Sequence, residues 1–349
     1  MANFDEYIKQ GEPNKAEKAR VWKTAIGLQQ VDGLKPSDYL LATAKHNIEG
    51  DITIEEVKQR IDNYYVAHPL KKDENRTEEA DKVSARIAEI LGEQAFTFSP
   101  VEYLTIHRRL FEDIYENAGK IRTYNITKQE WVLNGETILY ASAKGLNATL
   151  EYDFEQEKKF SCKGLSKQET IEHLAQFISY LWQIHVFEEG NTRTTAIFLI
   201  KYLRTFGFEV NNELFEQHSW YFRNALVRAH YRNHTKNIDT NNEYLLRFFG
   251  NLLLGETNLL INREMNIDYT HRVNVDNDPV KLGDDLVNDL VKRNILAYLK
   301  QNPKANYNEL AEKTGYSVSK IKRHIQELKK LGVIERIGSD KTGKWKVKN

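Results

Sequence analysis

"HVFEEGNTRTT", residues 185–195, crowds a histidine, two glutamates, a Gly-Asn pair and an arginine together without a proline or a cysteine. Its neighbours say how it is held. From Ser166, whose capping-box partner is Glu169, the positions Ile171, Leu174, Ala175, Ile178, Leu181 and His185 fall on one helical face. Beyond the stretch, Ile197, Leu199, Ile200 and Leu203 are the apolar positions of a helix expected to begin around Thr194 and to stop near Gly207. The stretch therefore reads as a tight turn between two helices, with His185 ending an apolar stripe.

Helical spacing continues on both sides. "YLLATAKHNIEGDITIEEVKQRIDNYY" predicts one helix ending near Gly50 and a second starting at Thr53 with Glu56 as its capping-box partner. Residues 68–82, polar and charged, read as a solvated connection followed by a helix start. Ser99-Pro100-Val101-Glu102 begins another helix, with Leu104, His107, Leu110, Phe111 and Ile114 on one face. One segment breaks the pattern: "RTYNITKQEWVLNGETILYA" flanks Asn134-Gly135 with β-branched and aromatic residues and predicts a β-hairpin. The fold class expected is mainly α with that one hairpin. "NVDNDPVKLGDD" is the best linker in the chain.

A turn into a helix N-terminus offers unpaired backbone N–H groups and the positive end of the macrodipole, so it suits an anion. Arg193 adds a permanently charged donor fork, Glu189 a carboxylate able to hold Mg²⁺ beside substrate phosphates, and His185 a base that titrates near neutrality. Each residue alone is ordinarily something plainer, a packed histidine or a solvated glutamate. Their combination carries the reading.

That combination resembles the Fic family motif, HxFx(D/E)GNxR, through His185, Phe187, Glu189, Gly190, Asn191 and Arg193. "LTIHRRLFEDIYENAGKIRTYNIT" is similar to the helix and AGxxR turn that precede the family's flap, so the resemblance extends over roughly residues 95–255. It implies a Fic-type helical domain with a β-hairpin flap that transfers AMP from ATP, with Mg²⁺, to a hydroxyl of a target protein. His185 would then deprotonate the Ser, Thr or Tyr, Phe187 would anchor the loop, Glu189 would bind Mg²⁺, and Gly190, Asn191, Thr192 and Arg193 would hold the phosphates. The free edge of the hairpin would take a target segment as an added strand.

Two positions depart from the family pattern. Thr192 stands where Gly is common, and Ala196 where a second Arg contacts the terminal phosphate, which bears on nucleotide preference. "NIEG", residues 47–50, resembles the end of the family's inhibitory helix motif; Lys45 replaces its Ser or Thr, so only Glu49 and Gly50 match. The expectation is that Glu49 enters the nucleotide site and pairs with Arg193. A surface glutamate before a Gly cap is the plain alternative.

Residues 281–349 hold 16 Lys+Arg against 8 Asp+Glu, a net +8, which leaves −8 on residues 1–280 of the neutral chain. "RNILAYLKQNP", "NYNELAEKTG" and "SVSKIKRHIQELKKLG" predict three short helices and "VIERIGSDKTGKWKV" a two-stranded wing. Together they resemble a winged helix-turn-helix. Its third helix would bury Val318, Ile321, Ile325 and Leu328 and turn Lys320, Lys322, Arg323 and Lys329 outward, with Lys341, Lys344 and Lys346 on the wing. DNA binding and protein docking both remain open for such a module. "HYRNH", residues 230–234, has chelating spacing but no third ligand and no internal Glu, so core or surface histidines are expected.

The domains expected are 1–92, an N-terminal helical region bearing the inhibitory helix; 93–275, the catalytic domain; and 285–349, the winged helix-turn-helix. Cys162, the single cysteine, excludes an internal disulfide, and no apolar run reaches the ~18 residues of a membrane span, so the expectation is cytoplasmic with no membrane partner. The leading function is a protein adenylyltransferase. Its alternatives are a DNA-binding regulator with an inactive Fic-like sensor domain, and a Fic enzyme with another nucleotide transfer or AMP removal. Self-modification and a homodimer are left open.

Overall fold

The computed structural model describes residues 4–69, 76–208, 213–272, 295–296, 298–300, 302–314, 318–330, 333–338 and 343–347. Local signals start several helices where side chains can accept the first free amides. Ser37 accepts from Leu40 N at the head of one, Ser99 from Glu102 N at another, and the two capping boxes at Thr53/Glu56 and Ser166/Glu169 are both closed. The helices are α1 (Asp5–Gln10), α2 (Pro13–Gly27), α3 (Asp38–Glu49), α4 (Ile54–Ala67), α5 (Thr77–Gly92), α6 (Pro100–Phe111), α7 (Leu146–Lys159), α8 (Lys167–Ile184), α9 (Asn191–Thr205), α10 (Glu213–His230), α11 (Glu243–Leu254) and α12 (Ile267–Arg272). A 3-10 turn, Leu28–Asp32, extends α2. The chain is thus mainly helical, as the spacing predicts.

The chain divides into two compact units, Met1–Asn274 and Val275–Asn349. Within the first, the contacts make no division near residue 92: α2 packs on both α5 and α10, and the Leu28–Asp32 turn lies against α9 and α10. One close approach shows how tight that packing is. A Cβ added to Gly27 would lie 2.2 Å from the Glu216 Cα, so only glycine lets α2 meet α10 here. The motif helix α9 runs through the middle of the core, with every residue from Asn191 to Leu203 buried. A helix buried on all sides is held by its neighbours and cannot shift its first turn independently.

The hairpin expected around Asn134-Gly135 is corrected. The chain does reverse there, with Asn134 and Gly135 both at positive φ, but through a 3-10 turn over Trp131–Leu133, and no β ladder forms. Its closing bonds are Glu130 N to Glu136 O at 3.0 Å and Gly135 N to Glu130 O at 3.0 Å. The reason is burial: Val132 and Leu133 are both enclosed in the core, and adjacent strand residues point to opposite faces. The only sheet among the described residues is in the second unit.

That unit buries its own cluster of Ile295, Leu299, Ala305, Leu310, Ile321, Ile325, Leu328, Ile334 and Trp345. Its helices α13 (Tyr307–Thr314) and α14 (Val318–Lys330) precede strands β1 (Ile334–Ile337) and β2 (Lys344–Val347), which pair antiparallel. Trp345 ties the wing down, its backbone N donating to Pro303 O at 2.7 Å and its Nε1 to Ala305 O at 3.1 Å. This is the winged helix-turn-helix arrangement expected.

Candidate active site

The loop between α8 and α9 is closed by its own residues. Asn191 Nδ2 donates to Phe187 O at 2.8 Å and Phe187 N donates to Asn191 Oδ1 at 3.1 Å, so one amide side chain satisfies both backbone groups of a buried residue. Gly190 caps α9 in the left-handed region, φ 76°. Helix α9 thus begins at Asn191, three residues before the start predicted. Thr192 falls inside its first turn, so positive φ is required at Gly190 and not at Thr192. The Thr192 hydroxyl accepts from Trp182 Nε1 at 3.0 Å.

Phe187 is buried and stacks on His107 with ring centroids 3.6 Å apart. His107 Nδ1 accepts from Gly119 N at 2.8 Å, which obliges its Nε2–H to donate to Glu189 O at 3.0 Å. Burial pushes His107 down to about 4, so it is neutral at physiological pH. It acts as a rivet from α6 to the loop.

A second rivet is Arg122, the last residue of the AGxxR turn. Its guanidinium donates to His185 O at 2.7 Å, Tyr124 O at 2.6 Å and Ala141 O at 2.6 Å, joining the C-terminal end of α8 to both sides of the reversed segment 122–141. A cation is favoured at that helix end by the dipole.

His185 is the left-handed C-cap of α8, φ 53°, and is 4% exposed. Its Nδ1 lies 3.3 Å from Trp182 O, an acceptor, which places the proton on Nδ1 and leaves Nε2 with a lone pair. Burial, then the charges of Lys128, Arg223 and Arg122, holds the imidazole well below its ordinary range. Tyr140 covers it, ring centroids 4.3 Å apart. Glu189 points outward at 56% side-chain exposure, with Lys128 Nζ 2.9 Å from Oε2. The first turn of α9 leaves the amides of Asn191, Thr192 and Arg193 without an intrahelical carbonyl, the general condition of a helix start.

Two expectations about charge are corrected. The Arg193 guanidinium, expected to clasp phosphate, is fully buried and bonded to Glu79 Oε1 at 2.7 Å, Asp32 Oδ2 at 2.8 Å, Gln29 Oε1 at 3.0 Å and Tyr115 OH at 3.0 Å, over the Phe111 ring. A buried cation must be paired, and two carboxylates do so here. Glu49, expected to pair with Arg193, is instead bound by Lys15 at 3.0 Å and by Tyr7, whose hydroxyl holds its carboxyl below the usual range. Glu49 therefore lacks the contact through which it would block the loop.

The Arg193 partners went unnoticed in the sequence. Glu79 lay in a stretch read as solvated, and the only signal was an acid on a helix face otherwise occupied by Val83 and Ile87. Ala196 is wholly enclosed in the core. His230 donates to Ser179 O at 2.9 Å, His234 is exposed, and no cluster of three or more metal-ligating side chains occurs among the described residues. A metal at this loop would rest on the single Glu189 carboxylate, which fits an ion that keeps its waters and substrate oxygens.

Residues 97–203 match the family model Fic/DOC family. The chain carries a Fic domain. Residues 288–335 match the model for winged helix-turn-helix DNA-binding. The Fic domain accounts for α6 to α9 and for the loop, and both matched segments agree with the two units of the fold. Among similar proteins are a probable protein adenylyltransferase y4lH of Sinorhizobium fredii, 29% identical over 160 residues, covering 45% of this chain and 78% of that one, and the protein adenylyltransferase VbhT of Bartonella schoenbuchensis, 26% identical over 165 residues, covering 46% of this chain and 33% of that one. The chain thus spans a third of the latter's length. A solved Fic family protein from Desulfovibrio desulfuricans G20 aligns over 99% of this chain and 93% of its own at 12% identity, with a TM-score of 0.41.

In the second unit, Lys322 on α14 and Lys344 on β2 are exposed, with Lys322 Nζ 5.8 Å from the Tyr307 ring centroid. The side chains of Lys320 and Arg323, and all of Lys341, lie outside the described residues. No helix among the described residues is long and apolar enough to cross a membrane.

Proposed function

We propose that the chain is a protein adenylyltransferase, the activity its relatives' names give them, and that it moves AMP from ATP to a hydroxyl of a target protein. The observation that carries this is the His185 tautomer: Nδ1–H is given to a backbone carbonyl, and Nε2 is left with its lone pair on the loop that leads into the first turn of α9. In the reaction the target oxygen bonds to the α-phosphorus, the bond from phosphorus to the pyrophosphate oxygen breaks, and the hydroxyl proton goes to Nε2. Backbone amides of Asn191, Thr192 and Arg193 steady the phosphate charge, and the rivets at His107 and Arg122 hold that geometry in advance. Glu189 would hold Mg²⁺, which when bound would neutralise phosphate oxygens. His185 is 4% exposed, so the imidazole must be uncovered for a target hydroxyl to reach it, and Tyr140 is one of the rings packed against it.

The test is intact-mass analysis of the full chain and of candidate targets after incubation with ATP and Mg²⁺, beside His185→Ala. Gain of one adenylyl group that His185→Ala abolishes supports the reading. No gain with any of the four ribonucleoside triphosphates in a whole-proteome target pool refutes it.

A second reading rests on the winged helix-turn-helix match and the +8 net charge of residues 281–349: the chain binds DNA through α14 and the wing. The two readings are compatible, because the Fic loop and the basic module lie in different units.

A further inference from the structure

A triphosphate at the first turn of α9 would be held more tightly by a side-chain cation within reach than by backbone amides alone, and the arginines near the loop are already committed. Arg193 is sealed beneath Glu79 and Asp32, and Arg122 spends its donors on four backbone carbonyls. Arg223 is bonded to the wholly buried Glu130 at 2.7 Å and 3.1 Å, a pair that could not be broken without stranding a carboxylate in the core. Lys128 differs from all three. It lies on the segment running toward the Trp131–Leu133 turn, its partner is the outward-facing Glu189 carboxylate at 2.9 Å, and it is 22% exposed itself. Through Glu189 it is tied to the same loop that carries His185.

The carboxylate end of this pair is exposed, which keeps the cost of separating it small. We infer that Lys128 is a phosphate-binding residue held in reserve on Glu189: when the Glu189 carboxylate is taken up by a divalent cation, the ammonium moves to the terminal phosphates of a nucleoside triphosphate. The inference rests on the nucleotide-transfer reading above and adds to it the side chain that recognises the polyphosphate. A lysine suits the task, being a compact point charge on a flexible stem that reorients without losing a fixed fork geometry. Two consequences follow from the exchange. Removing the amine weakens binding of a triphosphate but not of a monophosphate, and it frees Glu189 for the metal.

The experiment is isothermal titration of the full chain and of Lys128→Met and Lys128→Arg with Mg·ATP, with AMP, and with Mn²⁺ alone. The expected result is about tenfold weaker Mg·ATP binding in Lys128→Met, AMP binding unchanged, Mn²⁺ bound more tightly, and recovery of most of the ATP affinity in Lys128→Arg. If Lys128→Met binds Mg·ATP as the unaltered chain does, or loses ATP and AMP alike, Lys128 has no such role, while the nucleotide site stands. If the unaltered chain binds neither nucleotide, the site itself is refuted and Lys128's part in it falls too.

Discussion

Gly190 is held by two independent constraints. Its φ of 76° lies in the left-handed region, and a Cβ there would fall 2.4 Å from the Phe111 ring, which is itself packed beneath Arg193. Gly190→Ala is therefore expected to lower stability by about 1–3 kcal/mol, read as a fall in the denaturation midpoint. Arg193 gives a sharper contrast. If its guanidinium served phosphate, Arg193→Ala would spare stability; because it is a buried counter-ion to Glu79 and Asp32, the same change should destabilise the fold by about 3–5 kcal/mol in chemical denaturation. At His185, burial keeps the imidazole neutral well below pH 6.5. The transfer rate should hold its plateau from pH 8 to below 6.5 and fall only in stronger acid; a midpoint at ordinary histidine pH in the rate profile would contradict a buried base.

At the scale of elements, helix α6 meets the loop through His107, whose two ring nitrogens are both used and whose protonation would break the bond from Gly119 N. Its value in the folded state is about 4 against 6.5 for the free group, so the unfolded chain binds the proton more readily. The stability this neutral form contributes is complete above pH 6.5 and is lost as pH falls from 6.5 through about 4, on the order of 3 kcal/mol in all. Urea denaturation across pH 7 to 4 should show that loss, with a shallower slope in His107→Gln. Element identity itself was largely legible from local chemistry: Thr53, Ser99 and Ser166 start helices in the structure as their patterns predict. The segment around Asn134-Gly135 was misread because turn chemistry specifies a reversal without specifying a ladder. Enclosure of Val132, Leu133 and Glu130, the last by Arg223 and Tyr140, decided the local conformation.

At the scale of the whole molecule, charge is divided along the chain, −8 over residues 1–280 and +8 over 281–349, and the basic stretch falls within the second unit. If the second unit meets phosphate backbones, duplex DNA should retain the full chain with strong salt dependence. Lys322→Ala and Lys344→Ala should each reduce the slope of log K against log salt by about 1, as measured by fluorescence anisotropy. An unchanged slope in both variants would assign the module to protein docking.

Sequence alone determined what depends on neighbours along the chain: the helix starts at Thr53, Ser99 and Ser166, the turn that follows His185, the apolar stripe that ends on it and the basic composition of the last 69 residues. Those features follow from capping, periodicity and charge, each satisfied within a few residues. Tertiary structure decided which charges meet. Gln29, Asp32, Glu79 and Tyr115 converge on Arg193 from sequence separations of 164 down to 78 residues, and Lys128 rather than Arg193 is the cation left facing Glu189. The physical reason is that an ion pair gains its strength from burial and distance, and both exist only once α2, α5, α6 and α9 have packed together.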